Sequence, residues 1–196
     1  INTPSSFVKS AQTMLNFMAK FQEETKMVLN TLNLGGGFGI KYLPKDKEIK
    51  LPEMLTKIVK TVEKGVKEKG LALRTLMIEP GRSLVGDSGF TLYRCGGTKQ
   101  TFGHKNYVFI DGGMADNIRP ALYQAKYTVG VANRFNQPLS NQALSYDIVG
   151  KCCESGDVIA KDVVLEQVEE GDTIIVFATG AYCYSMSMNH NGLTRG

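Results

Sequence analysis

At 196 residues the chain is long enough for one large domain or two small ones with a proper core. Its formal charge of +4 is mild, and no Lys/Arg block interleaves with aromatics, which argues against a nucleic-acid binder. No apolar run approaches the ~20 residues needed to span a membrane, and no signal peptide is visible. The chain begins at Ile1, not Met, and ends at Arg195-Gly196 without a closing element, so a fragment is expected. Cys95, Cys152, Cys153 and Cys183 form no C-x-x-C spacing, and an adjacent pair suits neither a disulfide framework nor a zinc site. Reduced thiols in a cytoplasmic enzyme are expected. His104 and His190 are too few and too isolated for a metal centre and read as surface or loop residues.

Ser5 or Ser6 is placed to cap a first helix with the stripe Phe7, Ala11, Met14, Met18 and Phe21. Val28 to Leu34 reads as a short strand, and Gly35-Gly36-Gly37-Phe38-Gly39 follows at once. Consecutive glycines can turn several backbone N–H groups toward one anion, which suits a phosphate; tight turns need glycine too. The stretch lacks the Lys-Ser/Thr of a P-loop, and no ribose-binding acid follows it. Leu51 to Lys69 reads as an amphipathic helix with Leu51, Leu55, Ile58, Val62 and Val66 on one face, and Gly70 stops it.

The run Thr75-Leu76-Met77-Ile78 then predicts a parallel strand buried on both faces, closing a βαβ unit over residues 28–80. Pro80 ends it. Glu79-Pro80-Gly81-Arg82-Ser83 sets a carboxylate, a bare backbone and a guanidinium at the C-terminal end of that strand, a place where α/β folds bind ligands. An ordinary Pro-Gly turn with an internal ion pair explains it equally well.

After Ser83 the pattern changes. Phe90 to Arg94, Asn106 to Ile110, Tyr123 to Val131, Ser145 to Val149, Asp157 to Val164 and Thr173 to Phe177 are strand candidates with no long helix between them. An antiparallel β-domain is expected, with the boundary near Ser83.

Three constellations in this part suggest chemistry. In Asp111 to Tyr123, two glycines lead from a strand into one helical turn, where Arg119 and Tyr123 are four apart and make a fork for a carboxylate; an Arg–Asp pair to Asp111 or Asp116 is the alternative. In Gly150 to Asp157, thiols stand beside Glu154 in a tight polar loop: a thiol suits proton donation and Glu154 suits an ammonium, though buried inert Cys is commoner. In Ala178 to Tyr184 a strand exit carries Tyr182, whose hydroxyl suits a phosphate as well as its ring suits a core.

Taken together, Leu34 to Gly39, Glu79 to Ser83, Asp111 to Tyr123, Gly150 to Asp157 and Gly180 to Met186 occur in an order that resembles the C-terminal half of the diaminopimelate decarboxylase family, pyridoxal-phosphate enzymes of alanine-racemase-like fold. The resemblance covers residues 28–190 or so. It implies that residues 1–82 are the last βα units of a cofactor-binding (β/α)8 barrel and residues 83–196 a β-sandwich, incomplete at its C-terminus. Gly35, Gly36, Gly37 and the Gly81-Arg82 backbone would hold the cofactor phosphate, with Tyr182 adding a bond. Glu79 would face the pyridine nitrogen. Arg82, Arg119 and Tyr123 would grip the substrate carboxylate that is retained, with Tyr182 nearby. Cys153 would supply a proton as the catalytic group, and Glu154 would bind the far ammonium. The last two would serve the neighbouring subunit, so a homodimer is implied.

Two departures stand out. The family's cofactor-bearing lysine and ring-stacking histidine lie upstream of the matched motifs, and Met188-Asn189-His190-Asn191-Gly192-Leu193 replaces the family's usual segment. The chain by itself is therefore expected to be inactive. Ornithine, arginine or carboxynorspermidine decarboxylases of the same fold are the enzymatic alternative, and a catalytically dead homologue acting as a binding protein is the non-enzymatic one.

Overall fold

A computed structural model describes residues 1–103 and 105–195; His104 lies outside the described residues. The chain divides into two compact units, residues 1–40 with 47–84, and residues 41–46 with 85 onward.

The first unit opens with α1 (Ser5–Thr25), whose N-cap is Pro4, so neither Ser5 nor Ser6 caps it as expected. Its buried seam is Phe7, Ala11, Leu15 and Met18, while Met14 stays exposed and Phe21 half-buried. Leu15 displaces Met14 because it faces Gly65 of α2 (Leu51–Lys69): a Cβ there would lie 2.7 Å from Leu15 Cδ1. The helices thus meet where one lacks a side chain. α2 buries Met54, Ile58, Val62 and Gly65, with the expected Leu51, Leu55 and Val66 half-buried at the seam's edge. Gly70 ends it in the left-handed conformation at φ 61°, its N–H donating back to the Val66 and Lys67 carbonyls.

β1 (Thr31–Gly36) and β2 (Thr75–Glu79) pair in parallel, which completes the βαβ unit. β1 begins later than expected and continues into the glycines, and Val28 is exposed. The expectation that β2 is buried on both faces is corrected: Leu76 and Ile78 pack against the core, whereas Met77 and Glu79 are exposed. The helices of this unit cover one face of a two-stranded sheet. Its other face carries Asn33, Met77 and Glu79.

The second unit holds β3 (Phe90–Gln100), β4 (Asn106–Ile110), β5 (Val129–Val131), β6 (Leu144–Val149), β7 (Val158–Leu165) and β8 (Thr173–Phe177). They form one six-stranded sheet in the order β5-β8-β3-β4-β6-β7. Two expectations change here. The sheet is mixed, because β4 and β6 run parallel, and it is one continuous sheet where two facing sheets were expected. The cause is β3. It is 11 residues long, pairs with β8 through Phe90–Arg94 and with β4 through Cys95–Gln100, and bulges between Cys95 and Gly97. Such a bulge bends a strand and lets one sheet continue into the next. The edge strands β5 and β7 come into contact, so the sheet nearly closes around a core that includes Tyr93, Val108, Tyr127, Ile148, Ile159 and Ile174.

The predicted strand Tyr123–Val131 is only β5 at its end. Its first part belongs to α4 (Arg119–Tyr123), started by Pro120 near its N-terminus and ended by Gln124 at φ 53°. Short connections precede β3 (α3, Arg82–Val85) and follow β8, where His190–Gly192 forms a 3-10 turn. No described helix is long and apolar enough to cross a membrane.

Candidate active site

The candidate residues Gly35, Gly36, Gly37, Glu79, Gly81 and Arg82 belong to the first unit, and Arg119, Tyr123, Cys153, Glu154 and Tyr182 to the second. In the first unit the parallel pairing brings the glycine exit of β1 against the end of β2, with Gly36 opposite Glu79. A Cβ on Gly36 would lie 1.9 Å from the Glu79 carbonyl oxygen, so only glycine permits the approach. Gly35 and Gly37 flank it at φ 68° and 92°. Gly35 does not offer its N–H outward as expected: it donates to Asn33 Oδ1 at 2.8 Å. The same Asn33 side chain donates from Nδ2 to Glu79 Oε1 at 2.7 Å. One amide thus fixes both the loop and the carboxylate, and Glu79 Oε2 carries no hydrogen bond among the described residues. Sequence reasoning missed Asn33; its signal was an amide alternating with Leu32 and Leu34, two residues before the glycines.

The turn after β2 is closed by Ser83, whose N–H and Oγ both donate to the Pro80 carbonyl, at 2.9 and 2.8 Å. Gly81 sits there at φ 30°, and Arg82, half-buried, opens α3.

In the second unit Arg119 is 6% exposed, an unusual burial for a guanidinium. It pairs with neither Asp111 nor Asp116. Asp111 Oδ1 instead accepts the Arg94 N–H at 2.9 Å, and Asp116 Oδ2 accepts the Gly113 N–H at 2.9 Å. Arg119 Nε donates to the Tyr127 hydroxyl at 2.9 Å, and its guanidinium carbon lies 5.5 Å from the centre of the Tyr123 ring. The expected Arg119–Tyr123 juxtaposition therefore exists, with Tyr127 as a third member that the misread strand had hidden.

The Cys-Glu loop is tied to the Asp-Gly-Gly loop through Asp157. This carboxylate is 3% exposed and accepts N–H bonds from Met114 at 2.6 Å and Cys152 at 2.8 Å. Gly113 and Gly150 make room for it, since a Cβ on either would fall 2.3–2.6 Å from its oxygens. Lys151 N–H donating to the Gly112 carbonyl at 3.1 Å adds a second tie. The adjacent thiols are thereby separated. Cys152 is half-buried, and burial together with the Asp157 carboxylate pushes its thiol up from the ordinary range; Cys153 and Glu154 are exposed on the loop's outer side. Tyr182, 40% exposed, follows a strand exit held by Thr179 and Gly180 N–H bonds to the Gly89 and Gly86 carbonyls, at 2.9 and 3.1 Å.

The family model described as "Pyridoxal-dependent decarboxylase, C-terminal sheet domain" matches residues 17–180. The chain belongs to this decarboxylase family. Among curated relatives, the diaminopimelate decarboxylase of Bacillus subtilis (strain 168) is 44% identical over 191 residues, which are 97% of this chain and 43% of the relative. That of Staphylococcus aureus (strain COL) is 40% identical over 196 residues, 100% of this chain and 45% of the relative. The structure of diaminopimelate decarboxylase from M. jannaschii in complex with L-lysine superposes with a TM-score of 0.87 at 33% identity, over 98% of this chain and 42% of that one. A lysine/ornithine decarboxylase from Vibrio vulnificus, at 20% identity and a TM-score of 0.82, shares the fold. The chain thus spans less than half the length of these diaminopimelate decarboxylases. The family is pyridoxal-dependent, so its cofactor is pyridoxal phosphate. The first unit of this chain fits that group. Nothing lies within 4 Å of where a Gly35 side chain would stand, which leaves the backbone there open to close approach, and Glu79 keeps one oxygen open to a ring N–H.

Proposed function

We propose that the chain is part of an enzyme that decarboxylates meso-2,6-diaminopimelate to L-lysine, a cytoplasmic homodimer with pyridoxal phosphate. The observation that carries this reading is Arg119: a buried guanidinium anchored at Nε whose terminal amino groups carry no hydrogen bond among the described residues. Such a fork matches a carboxylate that survives the reaction. A diamine-forming decarboxylase has no retained carboxylate for it to hold, and a dead binding homologue has no use for a proton donor.

In this reading residues 1–82 are the closing βα units of a barrel. The Gly35–Gly37 turn, its first N–H held by Asn33, and the Gly81-Arg82 backbone cradle the cofactor phosphate with Tyr182, and Glu79, steadied by the same Asn33, holds the ring nitrogen. When bound, pyridoxal phosphate supplies the electron sink that lets the carbon–carbon bond break. Arg119, with Tyr123 and Arg82, grips the distal carboxylate, and Glu154 the distal ammonium, so the other carboxylate is the one presented for loss. Cys153 delivers a proton to the carbon that has lost carbon dioxide. The lysine that anchors the cofactor lies in the rest of the enzyme, and the 196-residue chain alone is not expected to turn over substrate.

The test is steady-state kinetics of the complete enzyme. Arg119→Lys keeps the charge and loses the planar fork, so KM for diaminopimelate should rise. Cys153→Ala should lower kcat by about 10²- to 10⁴-fold with a smaller change in KM. Cys152→Ala, whose thiol faces Asp157, should be nearly silent. A silent Cys153→Ala beside a damaging Cys152→Ala would reverse the assignment.

A further inference from the structure

Arginine only donates hydrogen bonds, so the Tyr127 oxygen must be the acceptor from Arg119 Nε–H. The hydroxyl lies 3.6 Å from Cys183 Sγ, which can take its proton in turn. Tyr127 itself is 4% exposed, and its ring meets Tyr42 edge to face, with centroids 5.4 Å apart at 89°. The hydroxyl is therefore held at a fixed point in the core, and burial raises the phenol's pKa above the ordinary tyrosine range, so it stays neutral. A guanidinium is planar. Fixing its Nε, with the Tyr123 ring beside it, sets the plane in which its two terminal amino groups point.

We infer that Tyr127 is a positioning residue for substrate recognition: its hydroxyl, backed by Cys183, orients the Arg119 fork toward the retained carboxylate. This rests on the reading of Arg119 given above. It assigns a role to a residue that touches no substrate, and it joins the Arg119 helix to the strand exit that bears Tyr182, one residue before Cys183.

The experiment compares two ligands on the complete pyridoxal-phosphate enzyme by calorimetry: L-lysine, and 1,5-diaminopentane, which lacks only the carboxylate. Tyr127→Phe removes the hydroxyl and keeps the ring. Affinity for L-lysine should fall by about 5- to 10-fold, the loss of an orienting bond to a charged group, while that for diaminopentane stays within about twofold. KM for diaminopimelate should rise by the same factor, with kcat within about threefold. Equal weakening of both ligands, or an unchanged L-lysine affinity, overturns the inference. Arg119→Ala separates the two readings: if it leaves the ratio of the affinities unchanged, the carboxylate grip itself is wrong. If it collapses the ratio and Tyr127→Phe does not, only the positioning role fails. Should Tyr127→Phe not fold, Cys183→Ala is read by the same ratio, with a smaller selective loss expected and no loss overturning the inference.

Discussion

Asp157 shows how one residue organises chemistry it does not perform. A carboxylate removed from water is unfavourable unless it is compensated, and here the compensation comes from the Met114 and Cys152 amides. Asp157→Ala strands both donors and opens a void between Gly113 and Gly150. A loss of about 2–5 kcal/mol in urea denaturation is expected from two unpaired amides. Asp157→Asn keeps the shape and one acceptor, so it should cost less than Asp157→Ala; equal losses would mean the charge, not the pairing, is what the loops require. At this scale the sequence was legible where chemistry is local. Arg119 and Tyr123, four apart, do meet. Asn33, Tyr127 and the part played by Asp157 were not legible, because each acts on a residue brought to it by tertiary structure: Glu79, Arg119 and the Asp-Gly-Gly loop.

Among the elements, α2 was readable to the residue because Gly70 punctuates it and its polar face is rich in Lys and Glu. The stripe of α1 differs by one position from its periodicity, since the choice between Met14 and Leu15 is made by Gly65 on another helix. The apolar run of β2 suggests burial on both faces, but such a run says nothing of how many layers cover a sheet. The strand exit after β8 depends on an absent side chain. A Cβ on Gly180 would fall 1.9 Å from the Val85 carbonyl oxygen and crowd the Gly89 N–H, both backbone atoms with little freedom to retreat. Gly180→Ala should therefore destabilise the protein by about 1–3 kcal/mol. Gly103→Ala, where nothing lies within 4 Å, is the control and should stay within about 0.5 kcal/mol in the same thermal melts. Equal, small shifts for the two would mean that the exit moves freely.

For the whole molecule, the strand candidates announced a β-domain correctly and its topology incorrectly. Alternating residues report a strand's faces but not its partners, and the parallel β4–β6 pair and the bent β3 are partner choices. That bent strand also orders events in time. Its second half needs only β4, a few residues downstream, whereas its first half pairs Phe90 with Phe177 and waits for β8, about eighty residues further along the chain. Until then Phe90 and Leu92 lie along an unpaired edge, the exposure that invites association between nascent chains. Distant pairings close late because the chain between them must first be confined. In pulsed hydrogen exchange during refolding, the amides at Lys99 and Tyr107, which face each other across β3 and β4, should gain protection before those at Tyr93 and Ile174, which face each other across β3 and β8. Simultaneous protection would mean the sheet assembles in one step.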